Sequence, residues 1–154
     1  MTNLRTVAQR RHDLHKDDES SRPLAPDYEL VGLTGEQAFG QAFGLPVDLS
    51  ERRGGDRGVD FTTPAGTVDV KTSRKGVDLL VEVGKVRADL YVAARYDDKT
   101  STARLLGWAY AREVRAARII DLKRKVINHS IPVGQLRPMR DLAWLIDAER
   151  EERT

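Results

Sequence analysis

Apolar and polar residues repeat along the chain with two different periods, and the change of period predicts its elements. Residues 28–44 (YELVGLTGEQAFGQAFG) place apolar side chains at three- and four-residue intervals, which is typical of an amphipathic helix that ends near Gly44. Residues 59–63 and 67–73 alternate with a period of two on either side of the turn PAG, which predicts a β-hairpin. The patterned region therefore begins with a helix and a hairpin.

Further strands and helices are predicted after the hairpin. Strand patterns occupy residues 78–85, 88–96, 103–110 and 127–133, and residues 45–51 (LPVDLSE) form one more candidate strand. Helical patterns occupy a short basic stretch at 111–118 and a terminal stretch that begins at Pro138. This order predicts an α/β fold in which one central mixed β-sheet is flanked by helices.

Length and composition set the class of protein. The 154 residues fit one domain with its own core, which we place at residues 28–154. Residues 1–27 are polar, alternate in charge sign and contain Pro23 and Pro26, which predicts a mobile charged arm. No apolar run approaches the roughly 18 residues of a membrane span, and the N-terminus lacks the apolar core of a signal peptide. We therefore expect an intracellular protein without a membrane partner.

The chain has no cysteine and a net charge of only +2. The first fact excludes a disulfide framework, a thiolate zinc site and a cysteine nucleophile. The second means that a nucleic-acid partner cannot be inferred from net charge, so the clustering of the basic residues matters more.

The predicted hairpin carries charges where strands usually carry apolar or small polar residues. Asp69 and Lys71 share one face of their strand because side chains alternate, and Val70 lies on the other face. A two-residue turn at 65–66 would place Asp60 opposite Lys71, and the same register would place Phe61 opposite Val70.

That register gathers the charged groups on one face and the apolar groups on the other. Two carboxylates about 4 Å apart repel by roughly 4 kcal/mol at an effective dielectric constant of about 20. The ammonium of Lys71 or a divalent cation would relieve this repulsion, and oxygen-only ligands favour Mg²⁺ or Mn²⁺. The alternative is that the hairpin presents ordinary charges on a solvated face.

Glu36 adds a third carboxylate on the predicted first helix. It lies three residues before Phe39 and seven before Phe43, on the apolar stripe of that helix. A glutamate that points towards a core needs an ion-pair partner or a metal. The alternative is that Glu36 lies at the edge of the stripe and reaches water.

Glu36, Asp60 and the tripeptide 69–71 (DVK), in this order, resemble the PD-(D/E)XK nuclease superfamily, which includes restriction-endonuclease-like and Holliday-junction-resolvase-like enzymes. The resemblance covers roughly residues 30–95. It implies a core of helix, three antiparallel strands, helix and strand, here with added strands and an extra C-terminal helix. The chain departs from the family pattern at Val59, where many members have proline.

The resemblance also implies an activity. Asp60 and Asp69 would hold Mg²⁺ or Mn²⁺ with the carbonyl of Val70, and with Glu36 through a water. Lys71 would position or help activate the attacking water and would stabilise charge on the phosphate. The protein would be a metal-dependent endonuclease that hydrolyses DNA phosphodiester bonds with structure or weak sequence specificity. RNA is not excluded as a substrate, and a homodimer is one arrangement found in resolvase-like members. The alternative is a non-catalytic nucleic-acid-binding or assembly protein with the same fold.

Contact with a nucleic acid requires cations and hydrogen-bond donors near the site. Candidates flank the hairpin or recur on the predicted basic helix: Arg52, Arg53, Arg57, Thr72, Ser73, Arg74, Lys75, Arg112, Arg115 and Arg118. His129, Trp108 and Trp144 are interpreted as structural residues, the tryptophans as core or packing residues.

Overall fold

The computed structural model describes residues 27–47, 59–121 and 126–153. Most of the predicted arm and of the candidate strand at 45–51 lies outside the described residues. The elements follow in the order α1 (Tyr28–Phe43), β1 (Phe61–Thr63), β2 (Gly66–Ser73), β3 (Asp78–Glu82), β4 (Leu90–Asp97), β5 (Thr102–Tyr110), α2 (Ala111–Ala116), β6 (Arg118–Asp121), β7 (Ile127–Pro132), a 3-10 helix (Val133–Gln135) and α3 (Met139–Glu152).

The described strands form two sheets. The main sheet has the order β1-β2-β4-β5, in which β2 and β4 are parallel and the other pairs antiparallel. The second sheet has the order β3-β7-β6 and is antiparallel throughout. The α/β class and the mixed sheet are confirmed, whereas the prediction of one central sheet is wrong.

The chain leaves the main sheet directly after β2. Gly76 has a φ of 58°, and its N–H donates to Ser73 Oγ at 3.0 Å. This left-handed turn directs β3 away from β2 and towards β7, more than forty residues later. The three consecutive antiparallel strands that the resemblance implied are therefore not found among the described residues.

Apolar side chains fill both faces of the main sheet. Val68, Val92 and Trp108 belong to the cluster on one face, which α1 covers with Phe39 and α3 covers with Leu142. The cluster on the other face joins Tyr91 and Ala93 to residues of the second sheet and α2. β4 is buried on both faces, as expected for a central strand with helices and a sheet around it.

α1 ends where its sequence predicts. Gly44 adopts the left-handed conformation, with a φ of 67°, and its N–H donates to the carbonyl of Gly40. The helix approaches β2 closely at Gly35, where a Cβ built on the backbone would lie 1.8 Å from Thr72 Oγ1. These two glycines set the length of α1 and its distance from the sheet.

Two predictions in the C-terminal half are wrong. The basic helix ends at Ala116, so Arg118 begins β6 and does not share a helical stripe with Arg112 and Arg115. Trp144 is 72% exposed, since the buried face of α3 consists of Leu142 and Ile146.

Other structural predictions hold. Trp108 is buried, and its Nε1 donates to the carbonyl of Pro138 at 3.0 Å, next to the start of α3. His129 is buried in β7, with Nδ1 3.5 Å from the carbonyl oxygen of Ala117. Among the described helices none is long and apolar enough to cross a membrane.

Candidate active site

The β1–β2 hairpin closes one residue earlier than its sequence predicts. Phe61 lies opposite Val68, and Thr63 lies opposite Gly66. The turn is fixed by the Thr63 hydroxyl, which accepts from the N–H of Ala65 at 3.1 Å and donates to the carbonyl of Gly66 at 2.8 Å. The predicted pairing of Asp60 with Lys71 and of Phe61 with Val70 is therefore wrong.

The faces of the hairpin are nevertheless those that were predicted. The partner of Phe61 moves from Val70 to Val68, a shift of two residues, and a shift of two leaves every side chain on its face. Phe61, Val68 and Val70 all belong to one apolar cluster. The segregation of apolar from charged groups survives the change of register.

Asp60 lies at a bend just before β1, where two bonds attach it to β2. Its N–H donates to the carbonyl of Val68 at 2.8 Å, which extends the hairpin by one residue. Its Oδ2 accepts from the N–H of Val70 at 2.7 Å. The carboxylate therefore has a defined position beside the segment that carries Asp69 and Lys71.

Asp69 and Lys71 form an ion pair on β2. Lys71 Nζ lies 2.9 Å from Asp69 Oδ2, with the lysine side chain 42% exposed and the aspartate side chain 8% exposed. Asp69 is opposite Tyr91 in the β2–β4 register, on the side that faces the second apolar cluster. A buried carboxylate is not part of a solvated face, so that alternative fails for Asp69.

The charge state of Lys71 follows from its surroundings. Burial alone would lower the pKa of its ammonium, but the charge and hydrogen bond of Asp69, together with neighbouring charges, outweigh this effect. The charges of Tyr28 and Asp60 act in the same direction, so the pKa of Lys71 is raised above 10.5. Lys71 is therefore a cation at neutral pH and cannot act as a base in this arrangement.

Tyr28 is a neighbour of this site that the sequence pattern does not identify. It lies on the first turn of α1, is 45% exposed, and contributes to the raised pKa of Lys71. It lies 43 positions before Lys71 in the sequence, and no local periodicity relates two residues so far apart.

Glu36 is buried, with 8% of its surface exposed, so the alternative in which it reaches water is wrong. Its helix covers the face of β2 that carries Val70, as the packing of Phe39 shows, whereas Asp69 lies on the opposite face. Among the described residues no group of three or more acidic or histidine side chains is placed to hold a metal ion. That Glu36 joins Asp60 and Asp69 at one site therefore stays a prediction.

Asp60 and Asp69 are the carboxylates that still suit a divalent cation. Mg²⁺ in proteins is commonly held by one or two carboxylates, with water and substrate phosphate as its remaining ligands. Two carboxylate groups next to the backbone carbonyl of Val70 match this coordination preference. Such a donor set does not require Glu36.

The residues predicted to contact phosphate differ in whether their side chains are already paired or buried. Arg74 pairs with Asp98, with Nε 2.8 Å from Oδ2, and with Asp27. Both carboxylates raise the pKa of the Arg74 guanidinium. Thr72 Oγ1 is buried against α1 and has no hydrogen-bond partner among the described residues, so it does not face a substrate.

The remaining candidates divide into three groups. Ser73 Oγ accepts from Gly76, and Lys75 is exposed after β2. On α2, Arg112 lies over the ring of Tyr110 with Cζ 4.0 Å from the ring centroid, and Arg115 donates to the carbonyl of Val86 at 3.2 Å. The predicted residues that lie outside the described part of the chain are Arg52, Arg53 and Arg57.

Comparisons with protein-family models, with curated proteins and with solved structures give no match to this chain. A function can therefore be argued only from the geometry and chemistry of its own residues. The strongest candidate is the cluster of Asp60, Asp69 and Lys71.

Proposed function

We propose that this protein is a metal-dependent nuclease that hydrolyses DNA phosphodiester bonds. The observation that carries the proposal is the convergence of Asp60, Asp69 and Lys71 on one hairpin. Asp60 is hydrogen-bonded to the N–H of Val70, and Lys71 is paired with Asp69 at 2.9 Å. Two carboxylates and an ammonium, fixed to neighbouring positions on a strand, suit chemistry at a phosphate.

The two carboxylates would hold Mg²⁺ or Mn²⁺, together with the carbonyl of Val70. The cation, when bound, lowers the pKa of a water ligand and polarises the scissile phosphate. The hydrogen bond from Val70 fixes the direction of the Asp60 carboxylate, and the burial of Asp69 keeps its position defined. The chain thus supplies an ordered set of oxygen ligands.

Lys71 would stabilise negative charge on the phosphate and position the attacking water. While Asp69 is paired with it, the pKa of Lys71 is raised, so Lys71 carries its proton at neutral pH before a cation binds. Its side chain is 42% exposed and can therefore meet a substrate without unfolding the hairpin. We assign it an electrostatic role rather than that of a general base.

The proposed substrate class is DNA cleaved with structure or weak sequence specificity. RNA is a second substrate to test. A homodimer would place two sites on one branched DNA.

A nicking assay tests the proposal. Supercoiled plasmid, branched DNA oligonucleotides and an RNA hairpin are incubated with the full chain and Mg²⁺ or Mn²⁺, with EDTA as the metal-free control. Asp69→Asn and Lys71→Met should each lower the cleavage rate by at least about a hundredfold. Lys99→Met removes an exposed lysine from the β4–β5 turn and should leave the rate unchanged. Cleavage at the wild-type rate by both site variants would overturn the proposal.

A second function is supported by the same contacts. The ion pair of Asp69 with Lys71 and the hydrogen bond of Asp60 with Val70 stabilise both acids without a metal. A non-catalytic nucleic-acid-binding or assembly protein would be expected to show such an arrangement. Salt-dependent binding of the branched DNA with no metal-dependent cleavage would favour this second function over the nuclease.

A further inference from the structure

Trp144 is the most exposed large hydrophobic side chain that the structure describes, and the proposed nuclease reaction makes no use of it. It is 72% exposed on α3, and it lines a cleft of about 430 Å³ between α3 and the end of β5. α3 covers the face of the main sheet opposite to Asp69, so this cleft is distinct from the proposed catalytic cluster.

Three arginines lie beside the aromatic side chains of the cleft. Arg137 Cζ is 5.0 Å from the centroid of the Tyr110 ring, and Arg112 Cζ is 4.0 Å from the same centroid. Arg140 is four residues before Trp144 on α3, and side chains with this spacing are neighbours on the surface of a helix. The exposed indole therefore has a guanidinium next to it on its own helix.

The carboxylates near the cleft do not neutralise all three arginines. Glu113 accepts from Arg137 Nε at 3.0 Å and from Nη2 at 3.3 Å. Glu113 and then Asp141 raise the pKa of the Arg137 guanidinium, so both carboxylates act on this one arginine. Arg112 and Arg140 are exposed and form no ion pair with a residue that the structure describes. The surface around Trp144 is therefore left with positive charge.

The surroundings of Trp144 are charged rather than apolar. Its neighbours on α3 include Arg140, Asp141 and Asp147, and the last of these pairs with Arg150 at 3.8 Å. The core of a protein–protein interface is depleted in charged residues, so this surface does not suit a protein partner. The other exposed large hydrophobic side chains in the described ranges are on different elements: Tyr28, Val77, Ile119 and Ile127. A single exposed ring among cations matches a flat partner that carries negative charge.

We propose that Trp144 binds an unpaired base of a single-stranded nucleic acid by stacking. Every base has a flat face that can stack on an aromatic side chain, and the indole of Trp144 offers such a surface. The phosphates on either side of that base would contact Arg140 and Arg112. Nucleic acid is the substrate class proposed above, on which this inference rests, and Trp144 would bind it outside the proposed catalytic cluster.

Tryptophan fluorescence of the full chain tests the proposal, in EDTA so that no metal-dependent cleavage takes place. The chain has two tryptophans, and Trp108 is 2% exposed, so quenching by a stacked base reports Trp144. A single-stranded DNA oligonucleotide should quench the fluorescence, whereas an abasic oligonucleotide with the same number of phosphates should not. Trp144→Ala should weaken binding of the DNA at least about fivefold, as measured by the fluorescence anisotropy of a dye on the DNA. This variant should keep its fold because the side chain is 72% exposed.

Three further variants separate stacking from general attraction of charge. Trp144→Phe keeps a smaller aromatic ring, so an intermediate affinity is expected. Arg140→Gln should weaken binding about threefold and reduce its salt dependence, because one phosphate contact is lost. Arg104→Gln removes an exposed arginine from the other end of β5 and should leave the affinity unchanged.

The proposal is overturned if abasic DNA binds as tightly as DNA with bases, if DNA binds without quenching, or if neither binds. It is also overturned if folded Trp144→Ala binds with wild-type affinity. A dimer that Trp144→Ala dissociates in sedimentation velocity would overturn it too, since a second copy of the chain would then cover Trp144. The nicking assay with Asp69→Asn is independent of these results, so failure of this proposal is distinguishable from failure of the proposed nuclease activity.

Discussion

The two faces of β2 differ in chemistry, since one is apolar and the other carries an ion pair. One face carries Val68 and Val70, which pack in an apolar cluster under α1. The other carries Asp69 and Lys71, of which Asp69 is 5% exposed. The eight residues of one strand thus contribute to a hydrophobic core and to an ion pair in which the carboxylate is buried and the ammonium is partly exposed.

The comparison shows what each face contributes. An apolar face is stabilised by the removal of its surface from water, at roughly 25 cal/mol per Å². A buried ion pair gains little net stability, since the desolvation of the two charges offsets their attraction. Stability alone therefore does not explain Asp69 and Lys71, which supports the functional role that we propose for them.

The largest expected effect concerns the apolar face and the distance between α1 and β2. Gly35→Ala should lower the free energy of unfolding by about 2 kcal/mol, because the added Cβ overlaps Thr72 and forces the helix to move, despite the better helix propensity of alanine. Urea denaturation followed by circular dichroism measures the change.

Gly32→Ala is the matched control on the same helix, since a Cβ there has no atom within 4 Å. It should raise the free energy of unfolding by about 0.5–1 kcal/mol. Equal stabilisation by Gly35→Ala and Gly32→Ala would show that α1 is not in close contact with β2.

The next effect concerns the charged face. Lys71→Met keeps the length of the side chain but leaves Asp69 without its cation. The free energy of unfolding should fall by about 1–2 kcal/mol at neutral pH; the loss is smaller than for a fully buried pair because the Lys71 side chain is 42% exposed. Asp69→Asn combined with Lys71→Met should recover part of this loss.

Arg74→Met is the matched control for Lys71→Met, because Arg74 pairs with Asp27 and Asp98 at the surface. Its urea midpoint should be indistinguishable from that of the wild type in 0.5 M NaCl, a concentration at which such pairs are screened. If Lys71→Met and Arg74→Met behave alike, Asp69 is solvated and the two faces of β2 do not differ as described.

Much of this fold follows from local pattern. Gly44 ends α1 because its left-handed conformation is available to glycine, and the two-residue alternation of β2 decides the face of Asp69 and Lys71. Although the turn was predicted one residue too late, the predicted face of Asp69 and Lys71 is correct, because the pairing differs by two residues. These features depend on neighbours in the chain.

Other features depend on residues far apart in sequence. β3 pairs with β7 and not with β2, which divides the strands into two sheets. The alternation of side chains along a strand does not show which other strand it pairs with. The burial of Glu36 and the nearness of Tyr28 to Lys71 likewise arise because α1 packs against the sheet. The spacing of apolar residues could have predicted that Trp144 is exposed. Leu142 and Ile146 are four residues apart and share the buried face of α3, whereas Trp144, midway between them, lies on another face.

The smallest expected effect is a pH dependence that comes from Lys71. Its pKa in the folded protein is above 10.5, so the unfolded chain loses this proton first as pH rises. The stability that the ion pair contributes is therefore fully present below pH 10.5 and is lost as pH rises through the folded pKa. Urea denaturation of the wild type and Lys71→Met from pH 9 to about pH 12 should show the two free energies converging, since other titrating groups are common to both. A difference between them that is constant over this range would contradict the coupling of Lys71 to Asp69.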